Sequence, residues 1–105
     1  MSGGRKSYKV VVHDDAAQML YSHVRFLANV SIPAARKLEN SLQKAFRSLE
    51  SMPHRCPLFH THRTRDAYRR LIVGRYQVIF SVNEMDSIVS VRYIYDSRQD
   101  NEVNI

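Results

Sequence analysis

The sequence has few of the features that mark secreted or membrane proteins. Cys56 is the single cysteine, which excludes an internal disulfide and fits a reducing compartment. No apolar run approaches the roughly 20 residues that a transmembrane helix needs. Residues 1–7 are too short and too polar for a signal peptide. We therefore expect a cytoplasmic protein without membrane contacts.

Signatures of common enzymes are also missing. The chain has no glycine-rich phosphate loop, no paired-carboxylate site and no Ser/His/Asp arrangement. His54, Cys56, His60 and His62 share one segment, but their spacing, H-x-C-x3-H-x-H, matches no common zinc pattern. Nothing beside Cys56 would activate it as a nucleophile. We expect solvated histidines, no metal and no cofactor.

Positive charge is what the sequence has in excess. The 105 residues include 16 Lys and Arg against 10 Asp and Glu, a net charge of +6. Arginines concentrate between positions 55 and 75, where Asp66 is the one acid: Arg55, Arg63, Arg65, Arg69, Arg70 and Arg75. Such a balance favours an anionic partner, either nucleic acid or an acidic protein segment, although it would also suit a surface that is merely soluble.

Residues 68–95 predict a three-stranded antiparallel meander. Apolar, β-branched and aromatic runs are separated by Gly74-Arg75 and by residues 83–87. In the middle run, one face carries Tyr76, Val78, Phe80 and Val82, and the other carries Gln77, Ile79, Ser81 and Asn83. One row should meet a core, and the other should stay partly open.

The rest of the chain predicts one strand and two helices before the meander. Residues 8–13 are a short β-branched run, and Asp14 or Asp15 can cap the helix that follows. Apolar residues at helical spacing predict helices over 15–30 and 33–51, with Ser31 or Ile32 before Pro33. Their buried stripes are Ala16, Leu20, Val24 and Leu27, then Ala35, Leu38, Leu42, Ala45, Phe46, Leu49 and Met52.

These elements predict a two-layer α+β fold in the order β-α-α-β-β-β. A helical hairpin should cover one face of a curved, mainly antiparallel, four-stranded sheet, because the first strand must pair with the meander to satisfy its backbone. Residues 54–65 should form a loop. We expect a single domain over 1–105, with flexible ends at 1–7 and 99–105.

The arginine cluster is the remaining candidate for function. Positioned Arg, Lys, Tyr or His groups can stabilise a phosphorane and move a proton, so the cluster is a candidate for cleaving a phosphodiester. Target or nucleic-acid contacts are predicted at Arg63, Arg65, Arg69, Arg70, Arg75, Gln77, Arg92 and Arg98. Alternatively, these groups are surface charges or anchors for an acidic partner.

Several stretches together resemble the RelE/ParE superfamily of type II toxins. They are the element order, the L-x-x-x-P ending of the second helix (Leu49, Pro53), the segment YRRLIVGRYQVIFSV and the closing VRYIYDSRQD. The resemblance covers residues 8–100. Its most specific part starts at Tyr68-Arg69 and follows the pattern Y-R-x-L-x-x-G-x-Y-x-V-x-Y/F.

The resemblance implies a bacterial toxin encoded beside an acidic antitoxin that is partly disordered when free. RelE-like members cleave mRNA at the ribosome, whereas ParE-like members inhibit DNA gyrase. RelE-like members usually carry arginine after the tyrosine of G-x-Y, where this chain has Gln77. They also carry a Tyr or His near the C-terminus, which is missing here, and the ending S-R-Q-D is closer to ParE-like chains.

Three functions therefore stay open. The resemblance favours a ParE-like gyrase inhibitor that is not an enzyme and serves plasmid stabilisation. One alternative is a RelE-like mRNA endonuclease that uses the arginine cluster and whose chemistry has moved to the candidate catalytic residues Arg69, Arg75, Tyr93 and Arg98. The other is a non-toxic remnant that binds only its antitoxin.

Overall fold

A computed structural model describes residues 6–59 and 67–98. Over these residues, two helices pack on a five-stranded mixed sheet, which confirms the predicted fold class. The elements in order are β1 (Lys9–Val12), α1 (Asp14–Val30), α2 (Ile32–Ser48), a 3-10 turn (Pro53–Arg55), β2 (Leu58–Phe59), β3 (Tyr68–Val73), β4 (Tyr76–Asn83) and β5 (Ile88–Asp96).

Local chemistry sets the helix ends. His13, rather than an aspartate, is the N-cap of α1, while Asp14 and Asp15 lie in its first turn, where the helix dipole favours acids. Ser31 caps α2, because its Oγ accepts a hydrogen bond from the Ala34 N–H at 3.2 Å. Pro33 lies in the first turn of α2, where a missing N–H costs nothing.

The end of α2 comes earlier than residue 51, where the sequence placed it. The helix stops at Ser48, and Met52 takes a left-handed conformation with φ of 50°. The Arg55 guanidinium donates to the carbonyls of Ser48, Ser51 and Met52 at 3.1–3.2 Å. Since these carbonyls are satisfied by a side chain, no further helical turn is needed. Met52 was predicted in the buried stripe but is 58% exposed.

The strands have the order β1-β5-β4-β3-β2. β1 pairs with β5 in parallel, from Lys9 opposite Ile88 to Val12 opposite Val91, so the first strand joins the meander as expected. The other pairs are antiparallel. The fifth strand, β2, lies inside the segment that the sequence predicts to be a loop. A strand of two residues after Pro57 is too short to show an alternating pattern in the sequence, so the prediction missed it.

A β-bulge interrupts β5 at Arg92. Phe80 lies opposite Val91, but the preceding residue of β4, Ile79, lies opposite Tyr93. One extra residue therefore reverses the facing of everything that follows it on β5. Ile94 turns to the helices, and Tyr93 turns to the open face with Ile79.

The core lies between the helices and one face of the sheet. β4 contributes Val78 and Phe80, both fully buried, with the alternation that the sequence predicted. The predicted stripe residues of the helices join the same cluster, notably Leu42 and Leu49, which are also fully buried. This packing supplies the main stabilisation of the fold.

The predicted flexible ends lie mostly outside the described residues. Lys6 and Ser7 are described, and Ser7 forms a β-bridge with Ser51. In the described chain, neither helix has the length and apolar character needed to cross a bilayer.

The facing of β5 after the bulge can be tested by the effect of substitutions on stability. Ile94→Ala should lower the free energy of unfolding by about 2–5 kcal/mol, because Ile94 is fully buried among the helices. Ser90→Ala, on the open face of the same strand, should change it by less than about 0.5 kcal/mol. Urea denaturation of both variants measures the difference. Near-equal values would mean that β5 runs straight through Arg92.

Candidate functional site

The face of the sheet away from the helices carries an unusual mixture of aromatic and polar side chains. Cross-strand partners share a face, so the register assigns the side chains to it. This open face comprises Phe59, Tyr68, Arg70, Ile72, Gln77, Ile79, Ser81, Ser90, Tyr93 and Tyr95. Ile79 is fully buried although no helix covers it, so the larger side chains around it shield it.

Arg70 is held at the centre of the open face. Its guanidinium carbon lies 5.8 Å from the ring centroid of Phe59, within cation–π distance. Its Nη1 donates to Gln77 Oε1 at 3.4 Å, a long hydrogen bond. Its Nε is buried and has no hydrogen-bond partner among the described residues. The guanidinium is therefore oriented but only partly satisfied.

Three tyrosine rings share the open face with Arg70. The rings of Tyr68 and Tyr93 meet edge to face with centroids 6.2 Å apart, and those of Tyr93 and Tyr95 stack at 5.7 Å. Burial raises the pKa of Tyr95 from 10.0 to about 12, and the neighbouring phenols of Tyr93 and Tyr68 add to the effect. Tyr95 is therefore protonated at neutral pH, so it can donate a hydrogen bond but is a poor general base.

The expected single cationic face does not exist in residues 6–59 and 67–98. Arg69 pairs across the sheet with Phe80, so it lies on the helix side. Its Nη1 donates to the carbonyls of His54 at 3.2 Å and Cys56 at 2.6 Å. This arginine braces the segment after α2, because it satisfies backbone carbonyls that no strand pairs.

The other predicted arginines are also dispersed. Arg75 lies in the β3–β4 turn and faces the helices, whereas Arg92 lines a cleft at the start of α1 with Asp14 and Asp15. Arg98 approaches the buried carboxylate of Asp96 at 3.5 Å. Arg63 and Arg65 lie outside the described residues. Of the predicted site residues, the structure brings together Arg70, Gln77 and Tyr93.

The buried carboxylate of Asp96 holds Arg98 by hydrogen bonds. Burial alone would raise the pKa of the Asp96 carboxyl, but hydrogen bonds from the backbone and guanidinium of Arg98 outweigh burial and lower that pKa. The backbone N–H of Arg98 donates to Asp96 Oδ1 at 2.9 Å. Arg98 thus compensates a buried charge of the protein itself.

A groove on the helix side was not predicted from the sequence. It has a volume of about 310 Å³ and lies where both helices meet the β3–β4 turn. Its lining is Leu27, Ala34, Lys37, Leu38, Ser41, Val73, Gly74, Arg75 and Tyr76. The stripe residues Leu27 and Leu38 were predicted as core only, and periodicity does not show that Leu27 is half-buried or that both residues line a groove.

The histidine segment is structural where it is described. Glu84 accepts hydrogen bonds from Tyr8 at 2.7 Å and Lys6 at 2.9 Å, and His54 Nε2 lies 3.1 Å from the same carboxylate. The hydrogen bonds from Tyr8 and then Lys6 lower the pKa of Glu84. These contacts join the N-terminal segment to the β4–β5 turn.

Cys56 and the histidines show no metal site in the described ranges. Cys56 is buried, and burial raises the pKa of its thiol, which disfavours the reactive thiolate. No group of three or more His, Cys, Asp or Glu side chains in these ranges is arranged to hold a metal. His60 and His62 lie outside the described residues.

Residues 10–101 match the family model described as the ParE toxin of type II toxin–antitoxin systems. No curated protein matches the chain significantly.

Solved structures with the same fold include two toxin–antitoxin complexes. One is the archaeal RelE–RelB complex from Pyrococcus horikoshii OT3, with 20% identity, a TM-score of 0.58, and coverage of 90% of this chain and 99% of that one. The other is the toxin–antitoxin complex RelBE2 from Mycobacterium tuberculosis, with 18% identity, a TM-score of 0.60, and coverage of 86% and 91%.

The raised pKa of Tyr95 predicts a pH effect. Because the folded state binds this proton more tightly, the stability it contributes is complete below pH 10.0 and is lost as pH rises towards about 12. Tyr95→Phe should therefore flatten the fall in unfolding free energy over that window relative to wild type. Urea denaturation at a series of pH values from about 9 to about 12 measures the free energy of unfolding of both proteins. Parallel curves of this free energy against pH would contradict the raised pKa of Tyr95.

Proposed function

This chain belongs to the ParE toxin family of type II toxin–antitoxin systems, and we propose that it stops growth by binding DNA gyrase rather than by cutting RNA. The observation that carries the proposal is Gln77. It lies on the open face beside Arg70, at the position where RelE-like members usually carry arginine. An amide has no fixed positive charge with which to stabilise a phosphorane.

The raised pKa of Tyr95 supports the same conclusion. A nuclease on this face would need a group that removes a proton near neutral pH. The phenols available there are Tyr68, Tyr93 and Tyr95, and the pKa of Tyr95 is raised to about 12, away from the operating range. Arg69 and Arg98, which would have carried phosphate charge, bond to carbonyls and to Asp96 instead.

Purified protein should inhibit supercoiling of relaxed plasmid by gyrase and leave mRNA intact in a translating extract. Arrested cells should form filaments, as DNA damage produces, instead of showing an immediate stop in translation. The measurements are a gel assay of plasmid topology and primer extension on abundant messages.

Two results would contradict this. Unaffected supercoiling together with cut messages would identify the RelE-like endonuclease, for which the location of Arg70 on the same face as the phenols of Tyr93 and Tyr95 is the supporting observation. Normal growth after induction without antitoxin would identify the non-toxic remnant.

We also propose that an acidic antitoxin segment, partly disordered when free, occupies the helix-side groove. Leu27, Leu38 and Val73 give this groove an apolar lining, and Lys37 and Arg75 supply positive charge beside it. An acidic amphipathic segment would bury its apolar side chains there and place carboxylates against the two cations. The net charge of +6 favours the same partner.

Lys37→Glu should weaken antitoxin binding by about tenfold, because it places a carboxylate against an acidic segment. Lys44→Glu makes the same charge change at an exposed position of α2 outside the groove, and its affinity should stay near wild type. Isothermal titration calorimetry at 0.1 M salt, an ionic strength at which charges about 10 Å apart still interact, compares the two. Equal affinities would place the antitoxin elsewhere.

A further inference from the structure

The open face combines an oriented arginine with a layer of aromatic side chains. Phe59 supports the Arg70 guanidinium from β2, and Gln77 holds it from β4. Its Nε is withdrawn from water without a partner in the described chain. The accessible end of the guanidinium is also only weakly satisfied, because Nη1 makes a long hydrogen bond of 3.4 Å to Gln77, so the arrangement favours a ligand that accepts hydrogen bonds from the Nη groups.

The surroundings of Arg70 are apolar. Ile79 beneath it is fully buried, and Ile72 on the same strand is 55% exposed. Tyr93 and Tyr95 lie across β4 from it, with their rings stacked on each other. Tyr and Arg surrounded by apolar side chains are the composition of protein–protein hot spots.

The charge of this face suits a protein better than a nucleic acid. Nucleic-acid backbones are held by several cations along the strand. In the described part of the chain, Arg55 and Arg69 bind carbonyls, Arg98 binds Asp96, and Arg75 faces the groove. Arg70 is thus the guanidinium placed among the tyrosines. One two-pronged cation on an apolar layer matches one carboxylate beside apolar side chains.

We propose that Arg70 is the anchor with which the open face binds its target protein, by taking a surface carboxylate that is flanked by apolar side chains. Tyr93, Tyr95 and Ile72 surround the contact and exclude water from it. Gln77 is a positioning residue, because its neutral amide holds Arg70 where a second arginine would repel it. The inference rests on the proposed function, in which a protein and not RNA is the target.

The test compares four variants with wild type. Arg70→Ala should weaken target binding at least about 30-fold, as expected for a hot spot, and should abolish growth arrest. Arg70→Lys should not restore arrest, since an ammonium is not two-pronged. Gln77→Glu should also abolish arrest, because the new carboxylate would neutralise Arg70. Arg36→Ala is the matched control: it removes an exposed arginine of α2 and should arrest growth like wild type.

Measurements other than toxicity distinguish a variant that does not fold from one that folds but no longer binds its target. Thermal denaturation should show that the variants fold as wild type does. Antitoxin binding should be unchanged in them, because the groove lies on the other side of the sheet. If Arg70→Ala does not fold, Gln77→Glu, which keeps the side-chain shape, decides the question. Binding to purified gyrase, and to single-stranded RNA and DNA of about 16 nucleotides, identifies the partner.

The outcomes separate this inference from the proposed function. Growth arrest by folded Arg70→Ala or Gln77→Glu at the wild-type level would overturn the inference. So would oligonucleotide binding that wild type shows and Arg70→Ala loses. If wild type arrests growth without affecting gyrase, the proposed target is wrong; loss of arrest in Arg70→Ala without oligonucleotide binding would still support a protein contact at Arg70.

Discussion

The extra residue at Arg92 is the constraint on which both surfaces of this protein depend. Before it, Val91 faces the helices, and after it Ile94 does, so the alternation of β5 is reset by one residue. A strand without the bulge would send Tyr93 and Tyr95 into the core and Ile94 to the open face. The aromatic layer of the open face therefore exists because one backbone position is left out of the ladder.

The helix layer is fitted to that bulge. β1 pairs with β5 only as far as Val12 opposite Val91, so the outer edge of β5 beyond that point has no strand beside it in the described sheet. There α1 takes over: the Ile94 N–H donates to Met19 Sδ at 3.4 Å, and His23 Nε2 lies 2.8 Å from the Ile94 carbonyl oxygen. Because a carbonyl only accepts, His23 Nε2 carries the hydrogen. Side chains of α1 therefore satisfy the backbone N–H and carbonyl of Ile94 beyond the bulge, which fixes the position of β5 under the helix.

The arginines have different roles because different backbone carbonyls and a buried carboxylate need hydrogen-bond partners. Arg55 satisfies the end of α2, and Arg69 braces the carbonyls of His54 and Cys56. Arg98 compensates Asp96. In this part of the chain, positive charge that looks like a binding cluster in the sequence is largely used to hold loops and ends. Arg70 differs because its strand position points it away from the helices and towards aromatic side chains.

The sequence by itself determined the layers, the alternation of β4 and the family, because these depend on local periodicity and on residues near one another in the chain. It placed Val78 in the core and Gln77 on the open face correctly. The tertiary structure alone decided the bulge, the two-residue β2 and the directions of Arg55, Arg69, Arg70 and Arg98. The bulge depends on how β5 packs against β4 and α1 at the same time, which no local pattern shows. The number of arginines in a segment likewise does not show which backbone carbonyls lie within reach of Arg69.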